Sequence, residues 1–167
     1  PLVIFLVPGP GSGVRDMARV VRPGGLIAAY AWDMEGGGFP YAALHAEMRV
    51  MGMTVPTPPS PDASRMDALR ELWAMAGVEA VETREITVQR TFADFDDYWT
   101  TVHLGPSVGA SLHAMASADG AHLKHRVRTS LATDAAGRIT IDARANAVQG
   151  RVPSDTEVAA SLRERSR

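Results

Sequence analysis

Met17-Ala-Arg-Val-Val-Arg-Pro-Gly-Gly25, running straight into Leu26-Ile-Ala-Ala-Tyr-Ala-Trp32, is the stretch on which the fold turns. Val14, Met17, Val20 and Val21 recur at helical spacing and give one apolar face. Arg19 and Arg22 lie near the end of that helix, where cations suit the negative end of the dipole. Pro23-Gly24-Gly25 stops the helix and turns the chain within a few residues. Leu26–Trp32 carries no charge, the pattern of a strand covered on both faces in a parallel sheet.

Working outward, residues 2–7 (LVIFLV) form a second uninterrupted apolar run and predict another buried strand. Pro8-Gly9-Pro10-Gly11-Ser12-Gly13 reads as a loop. Beyond Asp33 and Gly36-Gly37-Gly38, Pro40 suits the first turn of a helix carrying Tyr41, Leu44, Met48 and Met51 on one face. Ser64 with Asp67 resembles a capping box, ahead of Met66, Leu69, Trp73 and Ala76 at helical spacing. Residues 80–89 read as a strand. Asp94 with Asp97 reads as the cap of a helix carrying Phe95, Tyr98, Trp99 and Val102. Further helical turns are predicted over 107–117 and 120–132, and a turn over 134–137. Residues 138–148 alternate Ile139, Ile141, Ala143, Ala145 and Ala147 with mostly polar neighbours, the mark of a half-exposed antiparallel strand. Residues 151–167 are polar, a frayed helix or tail. Alternating strands and helices imply a parallel sheet with helical cover, broken by the last strand.

These segments resemble the C-terminal part of class I S-adenosylmethionine-dependent methyltransferases of the small-molecule, ubiquinone/menaquinone type. In that family a short helix after the fourth strand ends in an "R-V-L-[RK]-P-G-G" turn feeding strand five, which Met17–Gly25 and Leu26–Trp32 match. Ala76-Gly77-Val78-Glu79 resembles the "A-G-F-x-x-V" turn into strand six. Phe92-Ala-Asp-Phe-Asp-Asp-Tyr-Trp99 resembles the opening of the family's variable helical insertion, and 138–148 stands where its last, antiparallel strand belongs. The implied fold is α/β. It is a partial Rossmann-like methyltransferase sheet holding the equivalents of strands 4–7, with a helical insertion at about 93–134 before the final antiparallel strand. The methyltransferase portion is residues 1–150 and the polar tail 151–167. The implied cofactor is S-adenosylmethionine and the implied partner a small-molecule acceptor.

The family grips its cofactor with a glycine loop preceded by an acid, and with a second acid after strand two. With 2–7 as strand four, both lie outside this sequence. The expectation is therefore a truncated member, inactive alone. Two alternatives stay open. One is a non-catalytic interaction module that self-associates through an exposed sheet edge. The other is a compact nucleotide-binding domain using Gly9–Gly13, with Asp33 20 residues later as the ribose acid. Strand count disfavours the second, since only two convincing strands follow Asp33.

Ligands of open α/β sheets sit beyond the carboxyl ends of the strands. By resemblance, Leu6 and Val7 line the methionine side of the cofactor. Trp32 and Asp33 face the acceptor, with Asp33 able to orient a nucleophile or take a proton. Tyr98, Trp99 and His103, from the insertion, supply an apolar pocket with one titratable group. Each has a plainer account in strand-end packing, turn capping or core packing, and no single catalytic residue emerges.

The 167 residues suit one domain, and 46% hydrophobic content allows a core. A net charge of −2 without basic runs excludes the electrostatic footprint of a nucleic-acid binder. The absence of cysteine excludes disulfides, thiol nucleophiles and thiolate metal sites, and fits a cytoplasmic protein. His122 and His125 lack a third ligand, so no metal site is expected. The apolar run 2–7 is too short to span a bilayer. High Ala, Gly and Arg content fits a GC-rich bacterial source.

Overall fold

The computed structural model describes residues 2–106 and 108–154. Helix α1 spans Pro10–Val20, with Pro10 at its first position. A proline there loses no helical hydrogen bond, and its fixed φ suits the start. The Arg22 carbonyl accepts from the Gly25 N–H, closing the turn, and Gly24 has φ +74°, a left-handed conformation that glycine takes without strain. Strand β1 follows over Leu26–Trp32, as predicted. Helices α2 (Ala42–Val50) and α3 (Met66–Met75) lead to strand β2 (Glu79–Phe92). Helices α4 (Phe95–His103), α5 (Gly109–His113) and α6 (Ser117–Ser130) precede strand β3 (Ile139–Arg151).

The sheet is three-stranded, in the order β1-β3-β2. β1 pairs antiparallel with β3, from Leu26 opposite Arg151 to Trp32 opposite Ala145. The side-chain pairs Gln149–Glu82, Asp142–Gln89 and Thr140–Thr91 descend along β3 as they climb β2, so that pairing is antiparallel too. β1 and β2 therefore run in the same direction with β3 reversed between them. The expected break at the last strand is present. The expected parallel ladder is not, because β3 takes the hydrogen-bonding edge that each co-directional strand would otherwise offer the other.

Two further expectations are corrected. Residues 2–7 form no strand: Ile4–Leu6 is a 3-10 turn, with Leu6 and Val7 N–H groups bonded to the Val3 and Ile4 carbonyls. Local bonds satisfy this backbone, and a short apolar run does not by its pattern distinguish a strand from a turn that buries two residues. The Ser64–Asp67 capping box is also absent. Arg65 is the N-cap of α3, Asp67 accepts from the Ala68 N–H and from Arg65, and the Ser64 hydroxyl accepts from the Met34 N–H. The Asp94 cap is present: its Oδ1 accepts from the Asp97 N–H at 2.9 Å, while Asp97 Oδ2 accepts from the Ala93 N–H at 3.0 Å. Most of the polar tail, 155–167, lies outside the described residues.

The chain divides into two compact units. The sheet unit draws its described residues from 1–38, 58–86 and 144–167. Its core packs Ile27, Ala29, Ala31 and Val148 against Phe5, Val14, Leu69 and Trp73. β1 is thus buried on alternate residues only, and not on both faces as its sequence predicts: Leu26 and Tyr30 are 53% and 42% exposed. The helical unit comprises 39–57 and the described part of 87–143. Its core packs Leu44 and Met48 of α2 with Phe95, Tyr98 and Val102 of α4 and with Leu123 and Val127 of α6.

Candidate functional site

At the carboxyl end of β1, Asp33 is buried and held by Arg144. Arg144 donates to Asp33 Oδ2 from Nη2 at 2.5 Å and from Nε at 3.1 Å. Asp33 Oδ1 accepts from the Gly36 N–H at 2.9 Å, and Arg144 Nη2 also donates to the Gly36 carbonyl at 2.8 Å. The ion pair raises the affinity of the Arg144 guanidinium for its proton, first through the hydrogen bond and then through the charge of Asp33. A Cβ on Gly36 would collide with both side chains, so glycine is required for this closure. Around it lies an open depression of about 340 Å³ whose lining includes Asp33, Glu35, Arg65, Glu85 and Asn146. Asp62, by hydrogen bonding to the Glu35 carboxyl, pushes Glu35 above the usual carboxylate range. Trp32 beside it is half-buried and packs against the core of the sheet unit.

Leu6 and Val7 sit at the end of the 3-10 turn. Leu6 is exposed, and the Val7 carbonyl accepts from the Ser60 hydroxyl at 2.9 Å.

In the helical unit, Tyr98, Trp99 and His103 all lie on α4. Asp94 starts that helix, and the 3.6-residue period puts Phe95, Trp99 and His103 on one line. The Phe95 and Trp99 rings stack at 5.8 Å, the edge of Trp99 meets His103 at 5.1 Å, and His103 meets His113 at 5.1 Å. Burial lowers the His103 pKa, and His113 and then Lys124 add to the effect, so the ring stays neutral more readily. Tyr98 turns instead into the core between Phe92 and Phe95, 1% exposed. Burial, with Tyr41 adding, pushes its hydroxyl up to about 12.

Two participants went unread in the sequence: Arg144, the partner of Asp33, and His45 on α2 of the helical unit. His45 is 5% exposed, with its pKa pushed down to about 4 by burial and then by Arg49. The only available signal was its i+4 spacing from Tyr41 on an apolar helix face.

The residues at 9–13 do not fit a cofactor's phosphate or ribose. The Ser12 and Gly13 N–H groups are bonded to the Gly9 carbonyl. Cβ atoms at Gly9, Gly11 and Gly13 would meet nothing closer than ordinary contact, so the glycines clear no approach for a ligand. Asp33, the ribose acid of that alternative, is committed to Arg144. No mechanistic step through a cofactor follows from these residues.

Among the described residues no group of three or more His, Asp or Glu side chains could hold a metal ion. Among the described residues no helix is long and apolar enough to cross a membrane.

No protein-family model matches the chain, and no curated protein does. Among solved structures it is similar to a Bacillus halodurans C-125 protein described as a "putative methyltransferase". The TM-score is 0.47 and the identity 15%, over 92% of this chain and 67% of that one.

Proposed function

We propose that the chain is part of an enzyme that transfers a methyl group from S-adenosylmethionine to a small-molecule acceptor. The observation that carries this reading is the last strand. β3 runs antiparallel between the two strands that the "R-V-V-R-P-G-G" and "A-G-V-E" turns introduce, and β1, β2 and β3 then stand for strands five, six and seven. Helices α4, α5 and α6 fill the interval where the resembled family carries its insertion. On this reading the sulfonium supplies the reactive methyl when bound. This chain's contribution is to place the acceptor and exclude water. On this reading residues 9–13 do not supply the cofactor grip, and the chain by itself does not turn over.

The test is a titration of the ¹⁵N-labelled chain with S-adenosylhomocysteine. Weak, millimolar-range shifts confined to Leu6, Val7, Trp32 and Asp33 are expected. Micromolar binding would keep the methyl-transfer reading and overturn the missing grip. No shift at these four residues would overturn the reading itself.

A further inference from the structure

One face of the sheet unit is exposed, and the strand register shows what stands on it. Tyr30 on β1 lies opposite Ala147 on β3, and Ala28 lies opposite Gln149. Gln149 Nε2 donates across to Glu82 Oε2 on β2 at 2.9 Å, so the antiparallel step puts Arg84 opposite Ala147. Two rows therefore cross the sheet: Ala28, Gln149, Glu82 and Tyr30, Ala147, Arg84. They line a groove of about 310 Å³. That is the lower end of the range for small-molecule sites, roughly 300–1,000 Å³. Ala28 and Ala147 make its floor, since each carries only a methyl group, and Tyr30, 42% exposed, is one wall. β1 and β2 each lie about 4.8 Å from β3, so the other wall stands roughly 10 Å away.

That other wall carries charge of both signs. Glu82 and Arg84 are exposed on the same face of β2, about 6.6 Å apart along the strand. No ion pair joins them, and among the described residues no ion pair engages either one. Gln149 is a neutral partner for one oxygen of Glu82, and among the described residues no hydrogen bond or ring contact engages Arg84. A ligand of single charge is drawn to one of these groups and repelled by the other. A molecule that holds an ammonium and a carboxylate side by side meets both, each through a charged hydrogen bond of about 2.8 Å. Tyr30 and the two alanines offer a flat ring an apolar seat. We infer that this groove is a binding site for an aromatic α-amino acid, with its carboxylate on Arg84, its ammonium on Glu82 and its ring against Tyr30. The site lies wholly in the sheet unit and stands apart from the methyl-transfer reading.

The experiment titrates the full ¹⁵N-labelled chain with three probes: phenylalanine, phenylpropanoate, which lacks the ammonium, and phenylethylamine, which lacks the carboxylate. Phenylalanine should shift the amides of Tyr30, Glu82, Arg84 and Ala147. Each truncated probe should bind about three- to tenfold more weakly, the range for one half-exposed charged hydrogen bond. Arg84→Gln should cancel the advantage of phenylalanine over phenylethylamine and keep its advantage over phenylpropanoate. Glu82→Gln should do the converse. Both side chains are exposed, so the variants keep the cores intact. Equal binding of the three probes, no binding of phenylalanine, or phenylalanine binding untouched by both variants would overturn the proposal. So would shifts of the same amides that grow with chain concentration in the absence of any probe, because they would put a second copy of the chain on this face. None of these outcomes depends on S-adenosylhomocysteine, so failure here and failure of the methyl-transfer reading are separately visible.

Discussion

Asp33 and Arg144, 111 residues apart in sequence, close the carboxyl end of β1 onto β3 through two nitrogens on one carboxylate oxygen. The backbone follows the same path: the Asp33 N–H donates to the Arg144 carbonyl at 3.0 Å, and the Arg144 N–H to the Gly38 carbonyl at 2.8 Å. The pair anchors the Gly36–Gly38 loop, and the carboxylate proposed from sequence to serve an acceptor is also the chief fastener of its own turn.

Asp33→Ala should therefore lower the Tm by several degrees. Arg144→Lys should recover only part of the loss caused by Arg144→Ala, since an ammonium does not reproduce the guanidinium's grip on both the carboxylate and the Gly36 carbonyl. The double variant should lose less than the two single losses combined. Strictly additive losses in thermal melts would show that the two side chains do not act as a unit.

His45 makes stability depend on pH. Its pKa is 6.5 in the unfolded chain and about 4 in the folded one. As pH falls, the unfolded chain takes the proton first. The contribution from keeping His45 neutral is complete above 6.5 and is lost between 6.5 and 4, about 2 kcal/mol after allowance for solvent screening. His103 shifts in the same direction and adds to the slope. Urea unfolding across this window should show His45→Gln flattening the profile. A slope unchanged by that variant would remove His45 from the account.

Asp94 caps α4 through the Asp97 N–H. Asp94→Ala should cost about 1 kcal/mol and Asp94→Asn only a few tenths, because Asn retains an acceptor oxygen. Equal losses in urea unfolding would place the effect elsewhere than in the cap.

Gly150 lies opposite Ile27 on β3, and a Cβ there would press on Val78, the Glu79 carbonyl and the Trp73 ring. Gly150→Ala should destabilise by about 1–3 kcal/mol through overpacking, although its φ is permissive. A neutral result in denaturant unfolding would mean that Trp73 and Val78 have room to move.

The sequence showed most clearly the elements that carry their own punctuation. Pro23-Gly24-Gly25 ended α1 and opened β1, and the alternation from Ile139 to Ala147 marked β3. The run 2–7 misled because apolar composition reports burial, and a 3-10 turn that buries Ile4 and Phe5 meets that demand as well as a strand does. Leu26–Trp32 was read as doubly covered although only its odd-numbered residues are buried, since alanines fit either face. The candidate site was less legible. Tyr98, Trp99 and His103 were put together because their spacing placed them on one helix, and α4 does carry all three. Trp99 and His103 meet edge to face on the line from Phe95, while Tyr98 turns away into the core. Arg144 was missed because its partner is 111 residues distant, and His45 because a single histidine on an apolar helix face has no pattern of its own.

The uncovered side of β1 has a practical consequence at the bench. Leu26, Ala28 and Tyr30 point away from the core of the sheet unit, and a groove of about 310 Å³ runs beside Ala147 and Gln149. Glu82, Arg84 and Gln149 share that groove with Ala28 and Tyr30, so the uncovered face is mixed and its apolar residues are interrupted by charge. An environment-sensitive dye such as anilinonaphthalene sulfonate should therefore stay dim on the native chain and brighten only as the two cores open, which makes a dye-based melt a usable readout.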